Sequence, residues 1–197
     1  MTVADQARAG IGDLWIALMV VWIIGVFMTR RTVRRQSTSS RLWQMAVLVL
    51  GGWLLFVPHT GFGWLDVRAV PDTAAAALAG LALAAVGVAF AVWARLTLGA
   101  NWSGTVTLKE GHTLVRRGPY RLVRHPIYTG ILAALAGTAL ARGWVHSFVA
   151  LPVCAFGLWL KSATEEQFMV EQFGEEYLRY RQEVPALAPF LKGRRAA

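Results

Sequence analysis

The sequence predicts an all-α integral membrane protein, a bundle of five transmembrane helices followed by an amphipathic helix. Three observations support this prediction. Hydrophobic residues make up 56% of the 197 residues and charged residues only 16%, whereas soluble domains carry about a quarter charged residues. Five separate apolar segments follow one another along the chain. The stretches between them are alternately rich and poor in Lys and Arg.

The apolar segments have lengths close to that of a membrane span. A helix needs roughly 20 residues to cross the hydrocarbon core, within a range of about 17–25. The third segment is long enough, whereas the second and fourth are short unless interfacial residues extend them. No basic region precedes the first segment, so we expect no cleaved signal peptide. In chain order the segments are Ile11–Met28, Leu42–Val57, Ala74–Ala94, Ile127–Ala141 and Trp144–Leu160.

The basic residues predict the orientation of these five spans. The first loop, the third loop and the C-terminal segment together hold 17 of the 20 Lys and Arg residues. The opposite side has only Arg8, Arg68 and Arg142. Because basic loops stay in the cytoplasm, the N-terminus is predicted outside and the C-terminus inside. This placement also explains the net charge of +9 without a nucleic-acid partner.

The chain divides into residues 1–94, three N-terminal transmembrane helices, and residues 95–197, which carry the polar chemistry. The second part begins with a connector, where residues 101–104 suggest a turn and Thr105–Leu108 an extended run. Only Arg142 and Gly143 separate the last two spans, which predicts a tight antiparallel hairpin. Apolar residues recur every three or four positions in Ala163–Tyr180, which predicts an amphipathic helix with a break or kink at Gly174.

Gly111–Gly130 contains more polar residues than contact with lipid requires, and it ends in Arg-His-Pro-x-Tyr-x-Gly. Pro126 is well placed at the first turn of a helix, which puts His125 at the N-terminal end. His125 and Tyr128 then share one helical face. Such a helix terminus favours an anionic group. The alternative is simple anchoring of Arg and Tyr at the membrane border.

A second polar group follows the fifth span. Glu165 lies four residues after Lys161, and so on the same helical face, which predicts that Glu165 points inward with a functional role. Its neighbour Glu166 is rotated by about 100°. We expect Glu166 to face water and solvate the helix as it leaves the lipid.

Other common kinds of site find little support. The four histidines are scattered without the spacing of metal ligands, so no metal is expected. The glycine patterns of dinucleotide and phosphate-binding loops are absent, as is a Gly-x-Ser-x-Gly motif. Cys154 lies within the fifth apolar segment and is expected to be a buried small residue.

The runs LGANWSG, HTLVRRGPYRLVRHPIYTG and FGEEYLRYRQEVPALAPF resemble the isoprenylcysteine carboxyl methyltransferase family and its bacterial and archaeal relatives, over about residues 95–190. The resemblance implies a membrane methyltransferase that uses S-adenosylmethionine on the cytoplasmic side of a prokaryotic plasma membrane. The resemblance further implies that the matching residues of this chain line the cofactor and that Glu165 holds its amino group. The implied cofactor residues are His112, Thr113, Leu114, Val115, Tyr120, His125, Pro126, Ile127, Tyr128 and Glu165.

The resemblance also implies where the acceptor binds. Lys161 stands where the eukaryotic enzymes have an arginine near the substrate carboxylate, and Lys lacks the two-pronged contact of Arg. Lys161 and Arg124 are therefore the candidate catalytic residues. Arg95, Asn101 and Trp102 are the candidates for the acceptor side. The expected partners are a lipophilic or prenylated acceptor and membrane lipid.

Three other functions remain open at this stage. Phospholipid N-methyltransferases share the Arg-His-Pro-x-Tyr-x-Gly and Glu-Glu pattern, but their acceptor is an amine that must lose a proton. Membrane sterol reductases carry a similar C-terminal region, yet they are much longer and have about twice as many spans. A non-catalytic membrane protein would leave the polar constellation without a purpose.

Overall fold

The structure, a computed structural model, describes residues 1–27, 32–35, 38–99, 107–109 and 114–189. Its described part contains six α-helices, two short strands and a 3-10 turn at Gly118–Arg121. The helices are α1 (Val3–Phe27), α2 (Thr38–Phe56), α3 (Ala74–Leu98), α4 (Pro126–Arg142), α5 (Val145–Phe173) and α6 (Glu175–Glu183). The strands are β1 (Thr32–Arg35) and β2 (Thr107–Lys109).

Four of the helices, α1, α2, α3 and α5, are long and apolar enough to cross a membrane. The chain is therefore an integral membrane protein. Each predicted apolar segment overlaps one helix, and α4 has 17 residues. Helix α1 begins eight residues before its predicted apolar segment. Thr2 and Asp5 explain this, because the Thr2 hydroxyl accepts from the Asp5 amide while the Asp5 carboxylate accepts from the Thr2 amide, a reciprocal N-terminal cap.

Glycines bring the backbones of α3 and α4 into direct contact. A Cβ atom added at Gly87 would lie 2.5 Å from the Ala134 nitrogen, and one at Gly137 would lie 2.4 Å from the Ala84 nitrogen. Small residues allow this kind of close approach in membranes. The Ala- and Gly-rich composition of α3 thus allows it to pack directly against the backbone of α4.

Helices α4 and α5 form the predicted hairpin. Helix α4 ends at Gly143, whose φ of 75° is left-handed, and α5 begins two residues later. Helix α5 then runs without interruption past the predicted span and into the amphipathic segment. It ends at Gly174, with φ 52°, so the predicted break at this position is confirmed. Cys154 is buried against α2, as expected.

The first and third loops meet in a short ribbon that the sequence did not predict. Strand β1 pairs antiparallel with β2, with Thr32 opposite Lys109 and Arg35 opposite Thr107. The extended run expected at Thr105–Leu108 overlaps β2, whereas its partner in the first loop carried no strand signal. Residues 101–104, where a turn was expected, lie outside the described residues.

Candidate active site at the ends of α4 and α5

The N-terminal end of α4 and the last third of α5 meet beneath the C-terminal segment. His125 precedes α4 and Pro126 is its first residue, as the sequence predicts. The amide groups of Arg124 and His125 donate to the carbonyls of Pro185 and Ala186, at 2.8 and 3.0 Å. These bonds fix the start of α4 against the segment that follows α6, so that both elements flank the same site.

Glu165 points into this site. Its carboxylate accepts a short hydrogen bond from the Tyr128 hydroxyl and lies 3.5 Å from His125 Nδ1. The rings of His125 and Tyr128 are stacked with centroids 5.5 Å apart. Lys161 Nζ lies 5.5 Å from the centre of the Tyr128 ring. The structure thus brings together four predicted site residues from the outer ends of two consecutive helices.

Glu166 also faces the protein, so the expectation that it faces water is wrong. One carboxylate oxygen accepts from Arg124 Nε and Nη2 at 2.9 and 2.7 Å and lies 3.1 Å from His125 Nε2. The other lies 3.2 Å from Arg181 Nε. The side chain is only 13% exposed. Helix α6 covers this side of α5, and for that reason two adjacent residues both find buried partners.

Arg124 joins three elements through its guanidinium. Besides Glu166, it donates to the carbonyls of Arg181 and Val184. The two backbone carbonyls and the Glu166 carboxylate accept hydrogen bonds from its N–H groups, which fixes the orientation of the guanidinium. In this structure Arg124 therefore positions its neighbours. Arg124 is the sequence signal that could have predicted a buried Glu166, because a basic residue at a helix start next to lipid needs a buried counter-charge.

Loss of the Glu166 charge should destabilise the protein substantially. In Glu166→Gln the two arginines would keep their charges around a neutral amide. Breaking one side of a buried ion pair costs about 3 kcal/mol or more. We expect a clear drop in the thermal midpoint in detergent, whereas Glu176→Gln, at an exposed carboxylate of α6, should melt as the unaltered protein does. Equal midpoints for the two variants would contradict the buried network.

The charge state of His125 depends on the two glutamates. Burial lowers the pKa of His125, but its contacts with Glu165 and Glu166 outweigh this, and the net result is a pKa above the ordinary value of 6.5. A group whose pKa is raised by folding contributes stability that is complete below the ordinary value. That stability is lost as the pH rises through the raised value.

His125→Gln should therefore remove a pH-dependent part of the stability. We expect the thermal midpoint of the unaltered protein to fall as the pH increases above 6.5, and that of the variant to fall less over the same interval. The other three histidines are present in both proteins and cancel in the comparison. Parallel curves for the two proteins would show that His125 carries no proton linked to folding.

A wall of buried aromatic and aliphatic side chains adjoins the polar residues. Tyr120, Ile127 and Tyr128 belong to one cluster with Ala94 and Leu158, and Val115 packs against it. The Tyr180 hydroxyl donates to the Tyr120 carbonyl at 2.6 Å. Burial raises the pKa of Tyr120 well above its ordinary value, so its phenol stays neutral. Pro126 is also buried and Leu114 half-buried.

Of the three predicted acceptor-side residues, the structure describes only Arg95. Arg95 is only 4% exposed and donates to the carbonyls of Gly99 and Gly25, both at 2.9 Å. It therefore ties the C-terminal ends of α3 and α1 together. The remaining four predicted residues lie outside the described part of the chain: Asn101, Trp102, His112 and Thr113.

Comparison with known proteins places this site in a family. A family model described as phospholipid methyltransferase matches residues 75–176, more than half of the chain. The chain belongs to this family. The matched residues include α3 except for its first residue, all of α4 and α5, and the polar residues between α3 and α4.

Named relatives of this chain support the resemblance found in the sequence. Rat protein-S-isoprenylcysteine O-methyltransferase is 31% identical over 160 residues, which are 76% of this chain and 52% of the rat protein. The corresponding human protein is 30% identical with the same coverage. The chain spans about half the length of these curated relatives. The predicted resemblance to isoprenylcysteine carboxyl methyltransferases is confirmed.

One solved structure is also similar. It is a eukaryotic intramembrane Ras methyltransferase, isoprenylcysteine carboxyl methyltransferase. The match has 23% sequence identity and a TM-score of 0.49, and it covers 82% of this chain and 56% of that chain.

Proposed function

We propose that this protein is a membrane methyltransferase that uses S-adenosylmethionine to methylate the carboxylate of a lipophilic acceptor. The observation that carries the proposal is the convergence of Glu165, Tyr128, His125 and Lys161 where α4 and α5 leave the membrane. The largely buried carboxylate of Glu165 suits a ligand with an ammonium group. The neighbouring Lys161 suits a second ligand with a carboxylate. The sequence similarity to isoprenylcysteine O-methyltransferases agrees with this division.

The side chains around Glu165 fit the cofactor. Its carboxylate is partly exposed and can accept hydrogen bonds from the amino group, and the aromatic wall beside it suits the adenosine. When bound, S-adenosylmethionine supplies a methyl group activated by a positively charged sulfur. The cofactor residues under this proposal are His112, Thr113, Leu114, Val115, Tyr120, His125, Pro126, Ile127, Tyr128 and Glu165.

Lys161 would hold the carboxylate of the acceptor. A carboxyl group with an ordinary pKa of about 4 is already ionised at neutral pH, so no general base is needed. The protein then acts by alignment and by exclusion of water. Arg124 takes part indirectly, because it orients His125 and Glu166. Asn101 and Trp102 remain candidates for the acceptor side.

The proposed topology has five spans, with the N-terminus outside and the site in the cytoplasm of a prokaryotic cell. The count adds α4 to the four long helices. Its 17 residues measure roughly 25 Å at 1.5 Å each, close to the thickness of the hydrocarbon core. The asymmetry of the basic loops supports the orientation. Residues 1–94 then form the helical support, and 95–197 the methyltransferase part.

Phospholipid N-methylation is the second candidate, because the family model carries that name. An amine acceptor must lose a proton before it can accept a methyl group. His125 is held between two carboxylates that raise its pKa above the ordinary value, which makes the neutral, proton-accepting form of the imidazole less available. Curated relatives that match 76% of this chain are, by name, O-methyltransferases of isoprenylcysteine.

An acceptor assay distinguishes the two. The purified protein in detergent is incubated with methyl-labelled S-adenosylmethionine and either a prenylated thioether carboxylic acid or phosphatidylethanolamine. We expect label in a methyl ester, which alkali releases as volatile methanol. Alkali-stable label in the phospholipid amine would replace the main proposal with the alternative.

Lys161 offers a matched test of the acceptor contact. Lys161→Met should raise KM for the carboxylate acceptor by roughly 10- to 100-fold, since hydrogen bonds to charged groups contribute about 1.5–3 kcal/mol. Lys161→Arg keeps the charge and should recover most of the affinity. Binding of S-adenosylhomocysteine should change much less in either variant. An unchanged KM in Lys161→Met would remove Lys161 from the acceptor site.

A further inference from the structure

Helices α1 and α2 diverge beside the candidate site. Helix α1 packs on α3 and α4, and α2 packs on α5 and α4, but within the described ranges the two make only isolated contact with each other. Ile131 of α4 lies between them. It packs against three clusters, which contain residues of α1, of α2 and of the candidate site, yet it is only partly buried. A cleft between α1 and α2 explains its exposure.

One end of this cleft is closed by Trp15. Its indole Nε1 donates to the Thr138 hydroxyl of α4 at 3.1 Å, and its ring meets the edge of Phe56 of α2 with centroids 6.2 Å apart. A single side chain of α1 thus connects all three helices that border the cleft. This contact lies at the end far from Lys161, because α4 runs away from the site.

The other end of the cleft reaches the candidate site. Trp22 of α1 and Leu48 of α2 both pack against the cluster that contains Tyr128. Tyr128 in turn lies beside Lys161 and Glu165. The cleft is therefore apolar along its length and ends at a cation, the arrangement that an ionised group on a long hydrocarbon chain requires.

The length of the cleft follows from α4. Thr138 comes ten residues after Tyr128, which corresponds to roughly 15 Å at 1.5 Å per residue. An extended chain advances by somewhat less than its 1.52 Å bond length for each carbon, so this distance takes roughly 12 carbons.

We propose that the cleft between α1 and α2 holds the hydrocarbon chain of the acceptor and that Trp15, backed by Phe56, sets the longest chain that fits. This inference rests on the proposed function, since it assigns the acceptor's chain to a place next to Lys161. Trp15 packs against clusters that contain neither Lys161 nor any described cofactor residue, and Phe56 is the last residue of α2, at the far end of the cleft. Both therefore determine chain-length preference without contributing to methyl transfer.

The test compares carboxylic acids with chains of roughly 8, 12 and 16 carbons as acceptors of the full-length protein in detergent. The unaltered protein should prefer the middle length. Phe56→Ala and Trp15→Leu should raise kcat/KM for the longest chain, relative to the middle one, by roughly tenfold, the discrimination typical of a few misfitting carbons. Trp15→Phe, which keeps a ring, should change the preference less.

Trp53→Ala supplies the matched control, because Trp53 is an aromatic residue of α2 that is 48% exposed. It should leave the preference unchanged. Binding of S-adenosylhomocysteine by every variant shows that the site is folded. If methylation is intact but Phe56→Ala and Trp15→Leu keep the original preference, the cleft is occupied by bilayer lipid and the inference is overturned. If the unaltered protein methylates neither these acids nor a prenylated thioether carboxylic acid, the proposed function itself fails.

Discussion

Glu165→Gln should lower the affinity for S-adenosylmethionine by roughly 100-fold. Glu165 is the carboxylate that we assign to the amino group of the cofactor, and its partners Tyr128 and His125 already orient it. A hydrogen bond between charged groups contributes up to about 3 kcal/mol, and each 1.4 kcal/mol is a factor of about ten. Equilibrium binding of labelled cofactor to the purified variant measures the loss.

Glu176→Gln is the control for this substitution, since Glu176 is exposed on the neighbouring helix α6. Its affinity should equal that of the unaltered protein. Tyr128→Phe provides an intermediate case, because it removes one orienting hydrogen bond and leaves the carboxylate in place. If Glu165→Gln binds the cofactor as tightly as Glu176→Gln, Glu165 has no part in the cofactor site.

Gly87→Leu should separate α3 from α4 and inactivate the protein. The first added carbon would lie 2.5 Å from the Ala134 nitrogen and 2.6 Å from the Gly130 carbonyl oxygen, and neither backbone atom can move independently of α4. Overpacking of this kind costs about 3 kcal/mol or more. Because α4 also carries His125 and Tyr128, cofactor binding should weaken along with stability. The thermal midpoint and the affinity for S-adenosylhomocysteine measure both effects.

Gly52→Leu tests whether the position or the residue type causes the loss. No atom lies within 4 Å of a Cβ added at Gly52, and leucine favours a helix over glycine by close to 1 kcal/mol. This variant should be as stable as the unaltered protein or slightly more so. Similar losses from both substitutions would show that the α3–α4 contact is not the reason for the glycines.

The membrane helices and half of the site could be predicted because each depends on local patterns. Apolar length and the Arg-His-Pro start of α4 mark the spans, and Gly174 marks the end of α5. The four-residue spacing of Lys161 and Glu165 places them on one face of a helix. Each of these signals lies within about one helical turn, or within one uninterrupted apolar run.

Glu166 was mispredicted because its environment comes from distant parts of the chain. A helix leaving the membrane normally has water on one side, so the residue beside an inward Glu165 was expected to be solvated. In the structure Arg124 and Arg181 approach it from opposite directions, 42 residues earlier and on α6. The pairing of β1 with β2 escaped prediction for the same reason, since the two strands belong to loops on either side of α2 and α3.

Titration of the unaltered protein with S-adenosylhomocysteine in detergent, followed by calorimetry, tests the central claim most directly. We expect saturable heat for one site per chain, together with a raised thermal midpoint. A titration without heat and without any thermal shift would contradict it.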